Sequence, residues 1–383
     1  METVSLKLAA MGSDRTPKIL QLISSGGFYG AERMVVQLSL ALESLGCRTL
    51  LGVFRNEPRP NLEVARQARA AGLSVVEIPC RGRIDRAAAR RIRSLAAEFQ
   101  ADVIHSHGYK PNIYAMLALG TAGAKLVSTC HGYVDDTLAM RMNEKLNRFL
   151  LRRYHAVAAV SEEVRDILIR SGVPAKTVSV VHNGIDCDAF VGAAPSLSRE
   201  GASFLVGFVG RLVPLKNPEA FLTLARDVVS EIPNARFAFV GEGSERSKLE
   251  SMRDQWGLNH SICFVGFRQD MPGVYASLDA LVLPSIHEGM PMTILEALAA
   301  ATPIVATRVG AVGAVVTHGQ TGILVTPGNQ RELYSAVMSI LQDRDLARRL
   351  GITGQRWVKE HFSHQTMANK YLSLYQRCGT RST

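Results

Sequence analysis

The sequence predicts an α/β protein made of two parallel-sheet domains that face each other across a cleft. The first observation is length, because 383 residues at roughly 150 per domain indicate two or three domains. The second is the alternation of short β-branched runs with segments of helical periodicity, which is typical of a parallel sheet covered on both faces. The third is a single interruption of this alternation at 189–202, a stretch rich in Gly, Ala, Ser and Pro that we interpret as a linker.

The first half begins with a β-branched run at 18–23, followed by a glycine-rich loop. Apolar residues then recur at helical spacing until Gly46, which suits a helix C-terminus. The same criteria place further strands at 48–54, 73–78, 102–105, 125–129 and 156–160, and further helices at 62–71, 85–99, 111–121 and 140–153.

After the linker the alternation resumes. Strands are predicted at 204–209, 236–240, 262–265, 280–283, 304–307 and 322–325, and helices at 218–231, 245–255, 291–301, 331–342, 345–360 and 365–377. The predicted divisions are a tail at 1–17, a first domain at 18–188, the linker, a second domain at 203–361, and a C-terminal segment at 362–383 that crosses back to the first domain. A ligand is expected in the cleft, outside the carboxyl ends of the strands.

Composition excludes several classes of protein. Hydrophobic residues are 47% and charged residues 20% of the chain, which is incompatible with a mainly disordered protein. No apolar run approaches the roughly 20 residues of a membrane-spanning helix, and the apolar piece near the N-terminus lacks the basic region of a secretory signal. The six scattered cysteines include no C-x-x-C pair, so we expect neither a zinc cage nor disulfides, and a reducing cytoplasmic location.

The loop at 24–32 joins the first strand to the first helix and contains Gly26, Gly27 and Gly30. Glycines allow close approach to a ligand, and the N-terminus of the next helix offers N–H groups to an anion. The loop lacks the G-x-G-x-x-G spacing of a dinucleotide site. Contact with a phosphate or sugar and a purely structural turn are both open here.

A second loop, at 210–217, follows the first strand of the second half and contains Arg211 and Lys216. A guanidinium binds phosphate through two donors and an ammonium acts as a point charge, so the pair suits a diphosphate leaving group. The alternative is a solvated surface pair, but the position at the carboxyl end of a strand favours function.

The third loop has the most specific pattern, with Glu288 just before a predicted helix and Glu296 inside it. Pro291 suits the first helical turn, so residues 289–293 would present main-chain N–H groups to phosphate. The two carboxylates could hold ribose hydroxyls on one side and sugar hydroxyls on the other. The alternatives are a charge complement to the helix terminus for Glu288 and an exposed helix glutamate for Glu296.

This Glu-x7-Glu pattern, with Gly210-Arg211 and Lys216-Asn217 upstream, resembles the donor site of the family 4 retaining glycosyltransferases. That family has the GT-B fold of two Rossmann-like domains. The resemblance covers nearly the whole chain, including Gly30-Ala31-Glu32, His131-Gly132 and His182-Asn183-Gly184-Ile185-Asp186. Family members often have a second glycine directly before the first of these motifs, where this chain has Tyr29, so which glycine contacts phosphate is open.

The resemblance implies roles at the matching positions. Arg211 and Lys216 would bind the diphosphate of a nucleotide sugar, Glu296 the ribose, and Glu288 the transferred hexose. His131 would orient donor and acceptor at the reacting sugar, so His131 and Glu288 are the expected catalytic residues. The remaining donor-binding residues are expected to be Gly30, at the β-phosphate, and Gly289, Met290, Pro291, Met292 and Thr293.

The acceptor is expected in the first domain, with His107, Lys110 and Asn183 as candidate residues. His105 shares a strand end with His107 and is open to the same role, whereas His182 is expected to shape the domain junction. For His131 and for the His105–His107 pair, the alternative is a histidine that only satisfies a neighbouring backbone group.

Two Asp-x-Asp triplets, at 186–188 and 343–345, are of the kind that holds a divalent metal in other glycosyltransferases. We assign neither to a metal, because the first belongs to the Asn-Gly-Ile-Asp turn and the second lies between late helices. Arg211, Lys216 and a helix dipole can offset the leaving-group charge, so no metal or other cofactor is expected.

The net charge of +10 suggests an anionic partner, and two basic stripes in the first half carry much of it. One consists of Arg83, Arg86, Arg90 and Arg93, opposite a face containing Ile84, Ala88, Ile92, Leu95 and Phe99; the other consists of Arg141, Lys145, Arg148 and Arg152, beside Met142, Leu146 and Phe149. Such helices can lie on anionic lipid or form a solvated outer face, and both remain open. No RNA-binding motif or recognition helix is evident, so nucleic acid is not an expected partner.

The resulting hypothesis is a retaining glycosyltransferase that moves a hexose-type sugar from a UDP- or GDP-linked donor to an acceptor hydroxyl. The acceptor would be lipid-linked or a polysaccharide of bacterial cell-surface or exopolysaccharide biosynthesis, and the enzyme would work at the inner face of the cytoplasmic membrane. The alternatives are another GT-B enzyme, such as a nucleotide-sugar epimerase or a phosphorylase, and a non-catalytic basic binding protein.

Overall fold

A computed structural model describes residues 16–24, 26–28, 30–82, 85–118, 123–131 and 138–379. Over these residues the chain forms two parallel sheets covered by helices on both faces, so the predicted fold class is confirmed. The predicted tail at 1–17 lies almost entirely outside the described residues.

The first sheet contains β1 (Lys18–Ile23), β2 (Arg48–Glu57), β3 (Val75–Arg81), β4 (Val103–His107), β5 (Lys125–Cys130), β6 (Ala156–Ala159) and β7 (Val178–Val180). Their spatial order is β3-β2-β1-β4-β5-β6-β7. The covering helices are α1 (Gly30–Ser44), α2 (Glu63–Ala70), α3 (Arg86–Phe99), α4 (Tyr109–Ala118), α5 (Leu138–Leu151) and α6 (Glu162–Arg170).

The second sheet contains β8 (Phe204–Val209), β9 (Ala235–Val240), β10 (Ile262–Gly266), β11 (Ala280–Leu283), β12 (Ile304–Thr307) and β13 (Ile323–Val325), in the order β10-β9-β8-β11-β12-β13. Its helices are α7 (Pro218–Glu231), α8 (Arg246–Gln255), α9 (Met271–Ser277), α10 (Met292–Ala299), α11 (Val312–Val315), α12 (Gln330–Gln342) and α13 (Arg344–His361). The final helix is α14 (His364–Gly379).

The strand order reverses direction beside β1 in the first sheet and beside β8 in the second. In each case the first strand pairs with its successor on one side and with a later strand, β4 or β11, on the other. The loops that leave these strands therefore diverge to opposite faces and open a crevice at the carboxyl edge. That edge carries all three glycine- or charge-bearing loops of the sequence.

Helix α14 belongs to the core of the first sheet although it follows the second domain in the chain. Met367, Ala368, Tyr371 and Leu374 are buried with the apolar face of α1. The two chain segments that join the domains pair with each other, since Ile185 N donates to Phe362 O and His364 N donates to Ile185 O, at 3.0 and 2.7 Å. The domains are thus held at two adjacent crossings.

The segment predicted as a linker is anchored on the second domain. The N–H groups of Ser196 and Leu197 each donate to Ser277 Oγ at 2.9 Å, and Arg199 forms an ion pair with Asp279 at 2.8 Å. These contacts give an aperiodic stretch a defined path along α9. No described helix has both the length and the apolarity needed to cross a membrane.

Candidate active site

The carboxylate of Glu288 is buried at the carboxyl end of β11, with 4% of the residue exposed. Both oxygens lie 2.5 Å from Lys216 Nζ, and Oε1 also accepts a hydrogen bond of 2.6 Å from Ser285 Oγ. Lys216 ends a short 3-10 turn after β8, so the ion pair joins the loops that follow two neighbouring strands. Glu288 is therefore part of a built ion pair and not merely a charge complement to a helix terminus.

The loop that follows β12 packs against the Glu288 main chain. Gly310 has a φ of +50°, and a Cβ at this position would lie 1.7 Å from the carbonyl oxygen of Glu288. The next residue, Ala311, donates its N–H to Gly289 O at 3.2 Å. Only glycine allows this close approach without moving the loop at 288–291, which we call the donor loop after its expected role.

Glu296 is buried rather than exposed, which excludes the solvated helix glutamate considered above. Its Oε1 accepts from Arg33 Nη1 and its Oε2 from Tyr275 Oη, both at 2.9 Å. Burial raises the pKa of the Glu296 carboxyl, while the Arg33 guanidinium opposes this rise. Arg33 comes from α1, so the contact crosses the cleft between the domains.

Helix α10 begins one residue later than predicted. Pro291 has extended backbone and occupies the N-cap position, and the first helical residue is Met292. The N–H groups of the first turn have no acceptor within the helix, as at any helix start. Thr293 Oγ1 is buried, and no residue in the described part of the chain forms a hydrogen bond with it.

Two contacts bring the first domain against this helix start. A Cβ on Gly30 would lie 3.2 Å from Met292 Cγ, and a Cβ on Gly289 would lie 3.2 Å from His131 O. The glycine loop and His131 therefore face the donor loop across the cleft. Met290 and Met292 are themselves buried, and Met292 packs beside Gly30. Gly132 lies outside the described residues.

His131 is linked to two further polar side chains of the first sheet. Its Nε2 lies 3.3 Å from His107 Nδ1, and His107 Nε2 lies 2.7 Å from Gln21 Oε1. In this amide orientation His107 donates from Nε2 to the Gln21 oxygen. His131 Nδ1 and Gln21 Nε2 are both buried, and neither has a partner among the described residues.

All three histidines in this part of the sheet are held neutral by burial. Desolvation lowers the pKa of His131 to about 4 and that of His105 to about 3, and it holds the pKa of His107 well below the ordinary value. His105 has no exposed surface, and its ring nitrogens contact Tyr375 Oη and Thr129 Oγ1 at 2.8 Å. His105 is therefore a core residue, whereas His107 contacts His131, which faces the cleft.

The remaining predicted residues occupy separate positions. Lys110 lies in the first turn of α4 and donates to Asn56 Oδ1 at 2.5 Å. Asn183 lies at the first chain crossing, and its buried Oδ1 has no partner within the described part of the chain. Arg211 is exposed and forms no hydrogen bond or ion pair with a side chain that the structure describes.

The two Asp-x-Asp triplets have structural partners. Asp188 forms an ion pair with Lys359 at 2.7 Å across the chain crossings, and Asp343 caps α13 by accepting from Leu346 N at 2.9 Å. Across the described ranges, no group of three or more His, Cys, Asp or Glu residues is arranged to hold a metal.

Sequence reasoning did not single out four residues of this site: Gln21, Arg33, Tyr275 and Ser285. Two signals were available. Gln21 is the one polar residue between apolar neighbours in the first strand, and Arg33 follows directly after the Gly30-Ala31-Glu32 motif. The partners of Tyr275 and Ser285 depend on packing between separate loops.

Two family models match most of the chain. One, described as Glycosyltransferase Family 4, covers residues 28–189, and the other, Glycosyl transferases group 1, covers residues 194–357. The chain belongs to the family 4 glycosyltransferases. It is therefore an enzyme, and the alternative of a non-catalytic binding protein is wrong.

Individual relatives agree with this family. The chain is 27% identical over 264 residues to the UDP-Gal:alpha-D-GlcNAc-diphosphoundecaprenol alpha-1,3-galactosyltransferase of Escherichia coli, a match covering 64% of this chain and 67% of that one. It is 26% identical over 302 residues to the N-acetyl-alpha-D-glucosaminyl L-malate synthase of Bacillus anthracis, covering 76% and 78%.

A solved structure shows the same architecture as this glycosyltransferase. Anabaena HepE in complex with UDP and glucose matches with a TM-score of 0.81 at 22% identity, covering 94% of this chain and all of that one. The predicted GT-B fold is thus confirmed.

Proposed function

We propose that this glycosyltransferase moves a hexose-type sugar from a UDP- or GDP-linked donor to an acceptor hydroxyl with retention of configuration. The observation that carries the proposal is a pair of buried atoms without partners among the described residues, His131 Nδ1 and Thr293 Oγ1. They belong to opposite walls of the cleft, where His131 O approaches Gly289. Leaving such atoms unpaired costs roughly 1–3 kcal/mol each, so hydroxyl or phosphate groups of a bound donor are their natural partners.

Lys216, Arg211 and the start of α10 would stabilise the departing nucleoside diphosphate. The Lys216 ammonium has three N–H donors; with two directed at the Glu288 oxygens, the third is available to a phosphate oxygen. Arg211 is exposed beside it and can bind the same diphosphate through two parallel hydrogen bonds. Positive charge at this point stabilises the transition state as the negative charge on the leaving oxygen grows.

Retention is proposed from the family resemblance. The C1–O bond to phosphate breaks, the C1–O bond to the acceptor forms on the same face, and the acceptor proton passes to the departing phosphate oxygen. Glu288 is engaged by Lys216 and Ser285, and His131 is neutral. We therefore assign them to orienting sugar hydroxyls, and no side chain is needed as a dedicated base.

The same groups support a reaction that needs no metal ion. In the proposed complex, Lys216, Arg211 and the start of α10 would together offset the charge of the diphosphate. Transfer activity should survive exhaustive treatment with EDTA. A loss of activity that Mn²⁺ or Mg²⁺ restores would contradict this part of the proposal.

We propose a lipid-linked or polysaccharide acceptor of bacterial cell-surface biosynthesis, reached at the inner face of the cytoplasmic membrane. The name of the Escherichia coli relative includes a diphosphoundecaprenol acceptor, which supports the lipid-linked version. A surface feature of this chain also supports it. Helix α4 packs between α3 and α5, and Leu117, Leu146 and Phe149 of α4 and α5 are 46–48% exposed.

Basic side chains lie next to two of these exposed apolar residues: Arg93 Nη2 donates to Leu117 O at 3.3 Å, and the Arg152 guanidinium lies 5.8 Å from the centre of the Phe149 ring. Arg86, Arg90 and Arg93 of α3 and Lys145 and Arg152 of α5 are exposed, as predicted for the two stripes. Arg83 and Ile84 lie outside the described residues, as do the side chains of Arg141 and Met142. Arg148 and Arg152 donate to Ser171, so part of the second stripe also has a structural role. We call the face formed by α3, α4 and α5 the basic-apolar face.

The test of the proposed function is a screen of purified protein against UDP- and GDP-linked sugars. A bound donor should raise the melting temperature, and the rise should grow with the logarithm of donor concentration above Kd. The donor that does so is then tested for transfer to glycan and lipid-linked acceptors, with the anomeric configuration of the product read by NMR. An inverted product would reject retention. Epimerisation or phosphorolysis without any acceptor would favour the other GT-B activities.

A further inference from the structure

A cavity of about 530 Å³ lies in the first domain beside His107. It is formed at the carboxyl ends of the neighbouring strands β1, β2 and β4 and at the first turn of α4. Its lining includes the polar side chains of Ser24, Asn56, Arg59, Asn61, His107, Tyr109 and Lys110. The volume is within the range of small-molecule sites, which is about 300–1,000 Å³.

The cavity carries uncompensated positive charge. Lys110 and Arg59 line it, and none of its lining residues in the described part of the chain is Asp or Glu. Among the described residues, Lys110 Nζ donates a hydrogen bond to one neutral oxygen, Asn56 Oδ1, and it lies 5.7 and 6.0 Å from the centres of the Phe54 and Tyr114 rings. Arg59 is exposed and has no hydrogen-bond or ion-pair partner among the described side chains.

Neighbouring amides hold Lys110 in place. Asn56 Nδ2 donates to Ser24 Oγ at 3.1 Å, which fixes its Oδ1 toward the lysine, and Asn61 Nδ2 donates to Gly26 O at 3.0 Å. One of the three N–H donors of Lys110 is used in this network, so two are free for a ligand. The main-chain N–H groups at the start of α4 add further positive potential to the same wall.

The cavity adjoins the proposed reaction centre. His107 lines the cavity, and its Nδ1 lies 3.3 Å from Nε2 of His131. The carbonyl oxygen of His131 in turn lies beside Gly289 of the donor loop. A molecule that offers a hydroxyl beside His131 would therefore extend into the cavity.

We propose that this cavity binds a compact oxyanion, a phosphate or carboxylate, carried by the acceptor. This rests on the proposed function, since it names the chemistry of the acceptor for the same transfer. Lys110 would supply a point charge and Arg59 a bidentate contact. A neutral glycan without an anionic group would lack partners for both cations.

The first test measures binding with the donor site already filled. Inorganic phosphate and malonate are titrated calorimetrically into the full-length protein saturated with UDP or GDP, whichever binds, with glycerol as the neutral control. Phosphate, malonate or both should bind wild type, and Lys110→Met and Arg59→Gln should each weaken binding about ten- to hundredfold, the loss expected for a hydrogen bond to a charged group. Lys176→Met, an exposed lysine of the same domain, is the matched control.

The same experiment distinguishes failure of the acceptor-oxyanion proposal from failure of the donor proposal. Lys110→Met keeps the aliphatic stem, and a UDP- or GDP-induced rise in its melting temperature would show that it is folded with an intact donor site. Failure of both UDP and GDP to bind wild type would count against the donor proposal. Equal phosphate and malonate affinities in wild type and Lys110→Met, or no binding of either anion, would overturn the acceptor-oxyanion proposal.

A transfer assay then distinguishes the sources of the oxyanion. A soluble sugar phosphate, a sugar carboxylate and a sugar diphosphate on a short polyprenol are compared as acceptors. Whichever serves should show a KM raised about ten- to hundredfold by Lys110→Met, with a smaller change in kcat. An unchanged KM for the best acceptor would reject the assignment.

Discussion

Arg33 of the first domain donates a hydrogen bond of 2.9 Å from Nη1 to Glu296 Oε1 of the second domain. The two side chains are 24% and 6% exposed, so the pair is shielded from water on one side. It joins the glycine loop of α1 to the helix α10 that carries the expected ribose contact. The ion pair therefore joins the two walls of the cleft.

Replacing Arg33 with Met should destabilise the protein by about 1–3 kcal/mol, because Glu296 would remain buried with Tyr275 as its described partner. Urea unfolding measures this change. Arg331→Met, an exposed arginine of α12, should have little effect. Since the penalty comes from an unpaired carboxylate, the double variant Arg33→Met/Glu296→Gln should recover part of the loss. No recovery in the double variant would contradict this explanation.

Replacing Lys216 with Ala should lower kcat/KM for transfer about 10²- to 10³-fold, as expected for removal of one charged group that stabilises a leaving oxygen. Among the described side chains, the variant leaves Glu288 with Ser285 as its remaining hydrogen-bond partner. Lys248→Ala, on the exposed surface of α8, is the control. Full transfer activity in Lys216→Ala, or in Glu288→Ala, would remove these residues from the donor site.

The buried histidines predict a loss of stability in acid. In the folded protein their pKa values are lowered, to about 4 for His131 and about 3 for His105, while unfolded histidines titrate near 6.5. The unfolded chain therefore binds more protons below pH 6.5, and the free energy of unfolding falls by about 1.4 kcal/mol per pH unit per histidine as pH drops toward 4.

Urea unfolding measured between pH 4.5 and 8 tests this prediction. His105→Gln should flatten the acid limb, and His260→Gln, an exposed histidine, should not. The kcat profile should show no step near pH 6.5 from His131, because its ring stays neutral there. A stability that is the same at pH 5 and pH 7 would show that these rings are not held neutral.

The basic-apolar face predicts binding to anionic membranes. Arg90→Gln/Arg93→Gln should weaken co-sedimentation with phosphatidylserine-containing vesicles roughly tenfold or more, since each basic residue near such a surface contributes about 1 kcal/mol. Binding should also weaken with added salt, and pure phosphatidylcholine vesicles should bind poorly. Arg331→Gln/Arg348→Gln, two exposed arginines of the second domain, form the matched control. Equal sedimentation of both double variants would reject this face.

Local signals predicted much of the fold. The strand at 204–209 and the helix at 218–231 have the predicted limits, because an apolar run and a proline at the first helical position are properties of adjacent residues. Elements with weak local signals were missed. Strand β7 has three residues, and α9 contains Pro272 and Gly273 in its first turn, so their structure depends on neighbours that the sequence does not display.

The sequence alone determined which chemical groups are available to the cleft, because the glycine-rich loop, the cations and the carboxylates each follow the end of a predicted strand. Only the tertiary structure decided which of them meet. Arg33 and Glu296 are 263 residues apart, and Lys216 and Glu288 are 72 residues apart. Their pairing depends on how two sheets and three loops pack. Burial decided the rest, because the same His131 would titrate near 6.5 in water and is neutral here only through the removal of solvent.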